Sequence, residues 1–174
     1  MQKIGVNSYI EALRSSAEDA QLKLAEISED ATPLELFYRI KFEKIGCDPL
    51  NQQRSLNLIE QVNQTFTYLA SFKAARKLFT LHIGLNSLTM NLGTQPGADI
   101  ESDYNGGISA EVFAAVNLTN NDKLRKDIKK VSESQATHKY VFFMCPNINE
   151  GPYQYPAPQG IKIWSLGGRY GLCD

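Results

Sequence analysis

Apolar positions recur at steps of three and four over the first part of the chain and at steps of two later, so helices are expected first and strands after them. Ile10, Leu13, Ala17, Leu24 and Ile27 mark an amphipathic helix over residues 8–28, opened by the capping box Ser8-Tyr9-Ile10-Glu11. Thr32-Pro33-Leu34-Glu35 opens a second helix, with Pro33 where its missing N–H costs nothing. Leu34, Phe37, Ile40 and Ile45 are its expected buried stripe and Gly46 its stop. Asp48-Pro49 opens a third helix to about residue 77, striped by Leu56, Ile59, Val62, Phe66 and Leu69.

The period then falls to two. Phe79, Leu81, Ile83 and Leu85 alternate with Thr80, His82, Gly84 and Asn86, which predicts a strand. A turn at Gly93–Gly97, a short strand Ala98-Asp99-Ile100-Glu101 and hairpin chemistry at Asp103-Tyr104-Asn105-Gly106-Gly107 follow. Ile108–Val116 reads as a further strand, although its alanines also suit a helix. Asn120 or Asn121 caps a helix that buries Leu124, Ile128 and Val131; Tyr140–Cys145 is a buried strand; Ile161–Trp164 is an edge strand after a proline-rich stretch. A helix between the third and fourth strands is a crossover, so those two strands should run parallel. The expected fold is α/β, one domain over residues 1–174, with a mixed sheet flanked by helices. Helices fill 8–48, a core 49–145 and a tail 146–174.

Composition narrows the classes. With 174 residues, 43% hydrophobic and 21% charged, the chain is long enough for its own core and is neither disordered nor a rod. Eighteen basic against nineteen acidic residues exclude a globally basic nucleic-acid coat but not a local basic face. Cys47, Cys145 and Cys173 lack CxxC spacing, which argues against a Cys/His zinc site and a disulfide scaffold. No apolar run approaches the ~20 residues of a membrane span, and Met1–Ser8 has no signal-peptide core. The expectation is a cytoplasmic protein.

The chemistry concentrates on two acids. If the strands on either side of Asp103–Gly107 pair, Asp99 and Glu111 lie side by side, with Ser109, Glu111 and Phe113 on one strand face. Glu111 sits among apolar neighbours and needs a compensating cation. A hard divalent ion such as Mg²⁺ would relieve the repulsion of the pair; a lysine or an exposed sheet edge would do so too.

The order helix, three strands, helix, strand, with Pro96-Gly97-Ala98-Asp99 before the second strand and Ala110-Glu111-Val112-Phe113 on the third, resembles the core of the PD-(D/E)xK nuclease superfamily, the restriction-endonuclease-like fold (αβββαβ). The resemblance covers about residues 49–145, with extra N-terminal helices outside it. It implies Asp99 and Glu111 as catalytic acids and Mg²⁺ ligands, with Glu60 on the preceding helix as a third. Phe113 departs from the pattern, for the family has lysine there. The resemblance therefore implies a degenerate member, weakly active or non-catalytic, that binds DNA, RNA or a protein. Its alternatives are an active Mg²⁺-dependent phosphodiesterase whose lysine is relocated to Lys123 or Lys126, or an interaction protein with an accidental likeness. Lys123, Lys126 and Lys130 on the basic helix are the candidate phosphate contacts, and a solvated face explains them equally.

Other chemistry is sparse. Neither His82 nor His138 has a nearby cysteine or acid at catalytic spacing, and a Cys145–His82 nucleophile pair is weighed against inert packing of Cys145. Gly167–Gly171 is too short for a phosphate loop. Tyr153, Tyr155 and Trp164 either stack bases or pin the tail to the core.

Overall fold

A computed structural model describes residues 1–93 and 97–168. Pro96, the middle of the turn expected at Gly93–Gly97, the end of Gly167–Gly171, and Cys173 lie outside the described residues. The chain divides into two compact units, Asn7–Leu69 and Met1–Val6 with Ala70–Asp174.

The first unit holds α1 (Val6–Glu29, from its second residue), α2 (Pro33–Phe42), a hairpin of β1 (Gly46–Asp48) and β2 (Asn51–Leu56), and the first half of α3 (Leu58–Leu81). The helix begins two residues before Ser8, and Glu11 pairs with Arg14 at 2.7 Å instead of closing a box. Pro33 opens α2 as expected, but the helix ends at Phe42, and Gly46 starts a strand. None of the expected stripe of α2 is buried; Leu34 and Phe37 are exposed.

Asp48-Pro49 opens a hairpin, not a helix. Asp48 Oδ1 accepts from Leu50 N–H at 2.9 Å, bending the chain back, while Oδ2 receives Arg54 at 3.1 Å and Tyr68 Oη at 3.2 Å. The capping box of α3 lies further on: Asn57 Oδ1 accepts from Glu60 N–H at 2.8 Å, and Glu60 Oε2 accepts from Asn57 N–H at 3.1 Å. Buried Gln61 ties three elements together. Its Nε2 donates to the Ser16 carbonyl and hydroxyl at 3.1 and 2.9 Å, and its Oε1 accepts from Cys47 N–H at 3.1 Å.

The second unit is built on a six-stranded mixed sheet. Its strands are β3 (Thr89–Met90), β4 (Ile100–Ser102), β5 (Ile108–Ala114), β6 (His138–Met144), β7 (Gly151–Pro152) and β8 (Ile161–Ser165), in the order β3-β4-β5-β6-β8-β7. Phe79–Leu81 belong to α3, not to a strand. Phe72, Ala75, Leu78 and Phe79 are buried at helical spacing, and the apparent alternation straddles the helix end. The β4–β5 turn behaves as its residues require: Asn105, Gly106 and Gly107 all have positive φ, and a Cβ on Gly107 would press on Ala136.

Between β5 and β6 runs α4 (Lys123–Glu133), and the two strands pair in parallel, as a crossover demands. On one sheet face Phe113, Val141, Phe143 and Ile163 pack with Leu124, Ile128 and Val131 of α4. The other face carries Tyr140 and Trp164, met by the end of α3: His82 Nε2 lies 2.9 Å from Tyr140 Oη, and Lys77 Nζ lies 4.1 Å from the Trp164 ring centre. The fold is thus mixed α/β with helices on both sheet faces in this unit. Among the described residues no helix is long and apolar enough to cross a membrane.

Candidate acidic site on the central strands

Register sets the site. β4 and β5 pair antiparallel with Ile100 opposite Ala110, so the next step puts Asp99 opposite Glu111. Asp99 Oδ2 accepts from Val112 N–H at 2.8 Å, which fastens the start of β4 to β5. Glu111 points to the α4 face, between Ser109 and Phe113. It is 1% exposed.

Helix α4 completes the cluster. Lys123, Asp127 and Lys130 stand at i, i+4 and i+7, one stripe of the helix, beside the apolar stripe of Leu124, Ile128 and Val131. Lys130 Nζ lies between both Glu111 oxygens, 2.8 Å from Oε1 and 2.9 Å from Oε2. Lys123 Nζ meets Asp127 Oδ1 at 2.7 Å, and Asp127 is buried. Glu111 Oε1 is in ionic contact with Lys130 but has no hydrogen bond of good geometry, and Asp127 Oδ2 has no hydrogen-bond partner.

The electrostatics follow from burial. Desolvation raises the Glu111 carboxyl above its ordinary range; the Lys130 hydrogen bond opposes this, and the charge of Asp99 adds to it. Desolvation likewise raises Asp127, against Lys123 and with Asp99. Burial pulls Lys130 down, but the hydrogen bond and charge of Glu111, with Asp99 and Asp127 behind it, outweigh that and hold the amine above its usual value. Three carboxylates and two ammonium groups therefore share one partly dry corner.

The residues expected from sequence divide accordingly. Asp99, Glu111, Lys123 and Lys130 meet here, whereas Lys126 lies exposed on α4. Glu60 caps α3 in the first unit, with Asn57 as its partner. Phe113 is buried in the α4-side core, its ring 6.0 Å from that of Phe143. Asp127 was not among the expected residues. Its signal was an acid beside the apolar stripe of a basic helix, set a turn from Lys123 and nearly a turn from Lys130.

Elsewhere the expected chemistry separates. Cys145 is buried in the α4-side core with its thiol raised by desolvation, while His82 meets Tyr140 on the opposite sheet face, so the two make no nucleophile pair. Tyr153 packs edge-on to Phe143 at 5.1 Å, the pinning role rather than a free stacking platform.

Carboxylate oxygens are the donor type that a hard cation takes. Mg²⁺ commonly uses one or two carboxylates and keeps several waters. Two buried carboxylate oxygens, Glu111 Oε1 and Asp127 Oδ2, lack a hydrogen bond, and Lys130 Nζ lies 2.8 Å from the first. Among the described residues no three Asp, Glu, His or Cys side chains form a ready-made metal cage. Compared with models of known protein families, with curated proteins and with solved structures, the chain matches none.

Proposed function

We propose that the protein is a divalent-cation-dependent phosphodiesterase acting on DNA or RNA, related in design to the PD-(D/E)xK nucleases, with its amine supplied by α4 as Lys130. The observation that carries this reading is the Lys130 ammonium seated on both oxygens of Glu111. Phe113 does not empty the site of an amine; it moves the amine's origin from β5 to the helix behind it. The sequence α3, β3, β4, β5, α4, β6, with an antiparallel β3-β4-β5 meander and a parallel β6, supports the likeness to that family's core.

In this reading Glu111 and Asp127 would each offer one carboxylate oxygen to Mg²⁺, an ion that commonly uses one or two carboxylates and keeps its waters. When bound, such an ion polarises a phosphoryl oxygen and acidifies a water. Asp99 contributes from a position fixed by its bond to Val112 N–H. Lys130 stays charged at neutral pH because its amine is held above its usual value. Half of its side chain is exposed, so the ammonium can turn from Glu111 to an entering phosphate. A donor held at the site before reaction stabilises charge growing on the phosphoryl oxygens without reorganisation. Lys123 neutralises Asp127 in the same way. Arg125, Lys126 and Lys129, exposed on α4, suit the flanking phosphates.

One observation favours a second reading: each buried carboxylate already has an ammonium partner. A degenerate, non-catalytic protein would keep those pairs as permanent counter-ions and bind nucleic acid or a protein without cleaving it. Cleavage assays with Mg²⁺ or Mn²⁺ on single- and double-stranded DNA and RNA separate the two. The phosphodiesterase reading expects metal-dependent cleavage by the parent, lowered about 10²–10³-fold in Lys130→Met and in Glu111→Gln. No cleavage by the parent under any of these conditions supports the degenerate protein instead.

A further inference from the structure

We propose that the groove beside the acidic corner holds the 3′-terminal ribonucleoside of an RNA strand, recognised by its 2′,3′-diol. The proposal rests on the reading of the Glu111 corner as a phosphodiester site, and it names the end of the substrate. Thr89 of β3, Glu101 of β4 and Ser109 of β5 are ladder partners, so their side chains make one row across the sheet on the α4 face. Asp99 and Glu111 make the next row, about 7 Å along the strands. Helix α4 packs chiefly on β5, β6 and β8, and the trough beside it, over β3 and β4, is the groove. Ser134, Gln135 and Ala136, just past the end of α4, form its wall. Its volume is about 720 Å³, within the range of small-ligand sites.

The lining selects hydroxyls and rejects phosphate. Among the described residues no lysine, arginine or histidine lines the groove, whereas Glu101 and Asp103 do. Lys139, next along the row from Ser109, is turned to the Ser132 carbonyl at 2.9 Å. The end of α4 adds the partial negative charge of its last carbonyls. A further phosphate of a continuing strand would meet only like charge here, so the strand ends in the groove. Carboxylates accept from hydroxyls, and a carboxylate is the group that takes a ribose 2′-hydroxyl in dinucleotide sites.

The floor is prepared for such a group. Ser109 is 5% exposed, lines the groove, and its hydroxyl makes no hydrogen bond among the described residues. A hydroxyl dried this far is costly without a partner, and a ligand hydroxyl can both donate to it and accept from it. Glu101 is held in place, because its Oε1 accepts from Ala98 N–H at 2.9 Å, and its Oε2 has no hydrogen bond among the described residues. A row that takes hydroxyls and a row that handles phosphate, one strand repeat apart, match the two ends of a nucleotide. Its diol meets Glu101, flanked by Ser109 and Thr89, and its 5′-phosphate reaches the Glu111 row, where Lys130 stands. RNA is favoured over DNA, whose last sugar lacks the 2′-hydroxyl.

Fluorescence anisotropy in EDTA at low salt, with 5′-labelled RNA strands that differ only in the last sugar, tests the inference on the full chain. The parent should bind the strand with a 2′,3′-diol end about tenfold tighter than one with a 3′-phosphate or a 2′-deoxy end, the effect of one charge-assisted hydrogen bond. Glu101→Gln should shrink that preference to about twofold, with thermal unfolding as the check on the fold. Ser109→Ala, which leaves Glu101 in place, should lower it about threefold. Equal affinity of the parent for the three ends overturns the inference, as does no binding to any of them, and as does a preference unchanged in both variants. Cleavage of the same strands with Mg²⁺ is read separately. Cleavage with no preference among the ends overturns the groove and keeps the phosphodiesterase; a diol preference without cleavage keeps the groove and overturns the phosphodiesterase.

Discussion

At the scale of single residues, the buried carboxylates set the behaviour of the site. Glu111 and Asp127 are raised in the folded state, so the fold binds protons more tightly than the open chain does. The stability they contribute is complete below the ordinary carboxylate range, about pH 4, and is lost as pH rises through the raised values. Urea midpoints should therefore fall from pH 5 to pH 8 in the parent, and fall less in Glu111→Gln with Asp127→Asn. Mg²⁺ favours the charged forms and should recover part of that loss, and EDTA should take the recovery away. The Lys130–Glu111 pair carries a second expectation. Lys130→Met strands a buried charge and should cost about 2 kcal/mol, less than the 3–5 kcal/mol of a fully buried pair, since the ammonium is half in water. In a Glu111→Gln background the same change should cost little, and a double-mutant cycle by urea denaturation reads the difference. Half of this chemistry was legible beforehand. Hairpin residues at Asp103–Gly107 fixed the register, and the register put Asp99 opposite Glu111. Asp127 and the contact of Lys130 with Glu111 were harder to see, because an amine's reach from a helix to a strand depends on the crossover, and no sequence spacing between Glu111 and Lys130 encodes it.

At the scale of elements, the chain departs from its own periodicity where polar tertiary bonds override it. The β1–β2 hairpin has five exposed positions of six in β2 and no alternating apolar signal, so the sequence around Asp48-Pro49 reads as a helix start. What folds it back is Asp48, which takes Leu50 N–H, Arg54 and Tyr68 at once. The helix α3 runs on past its expected end because Leu78 and Phe79 bury against the second unit's own residues with helical spacing. By contrast α4, β5 and β6 obey simple patterns, since a dry core on one side enforces them. Gln61 is the polar tie most exposed to test. Gln61→Leu keeps the volume but strands Cys47 N–H and the Ser16 carbonyl, and should cost about 3 kcal/mol in thermal or urea unfolding. Gly46→Ala should destabilise by a similar route, because its new Cβ would collide with Gln61 Oε1.

At the scale of the whole molecule, two units carry two kinds of surface. Most of the large exposed apolar side chains among the described residues belong to the first unit, while the acidic site belongs wholly to the second. Net charge near zero gives no general attraction for nucleic acid, so binding has to come from the local basic face of α4. Lys126→Ala with Lys129→Ala should weaken nucleic-acid binding and reduce the slope of log affinity against log salt by about two, as read by fluorescence anisotropy. The central claim is the proposal that Glu111 and Asp127 take a divalent cation beside Lys130. Anomalous diffraction from crystals of the parent soaked in Mn²⁺ tests it most directly. The account predicts a peak within coordination distance, about 2.1 Å, of Glu111 Oε1, with the Lys130 ammonium turned away from that oxygen. Full soaking with no peak there, and Lys130 still seated on both Glu111 oxygens, would contradict it.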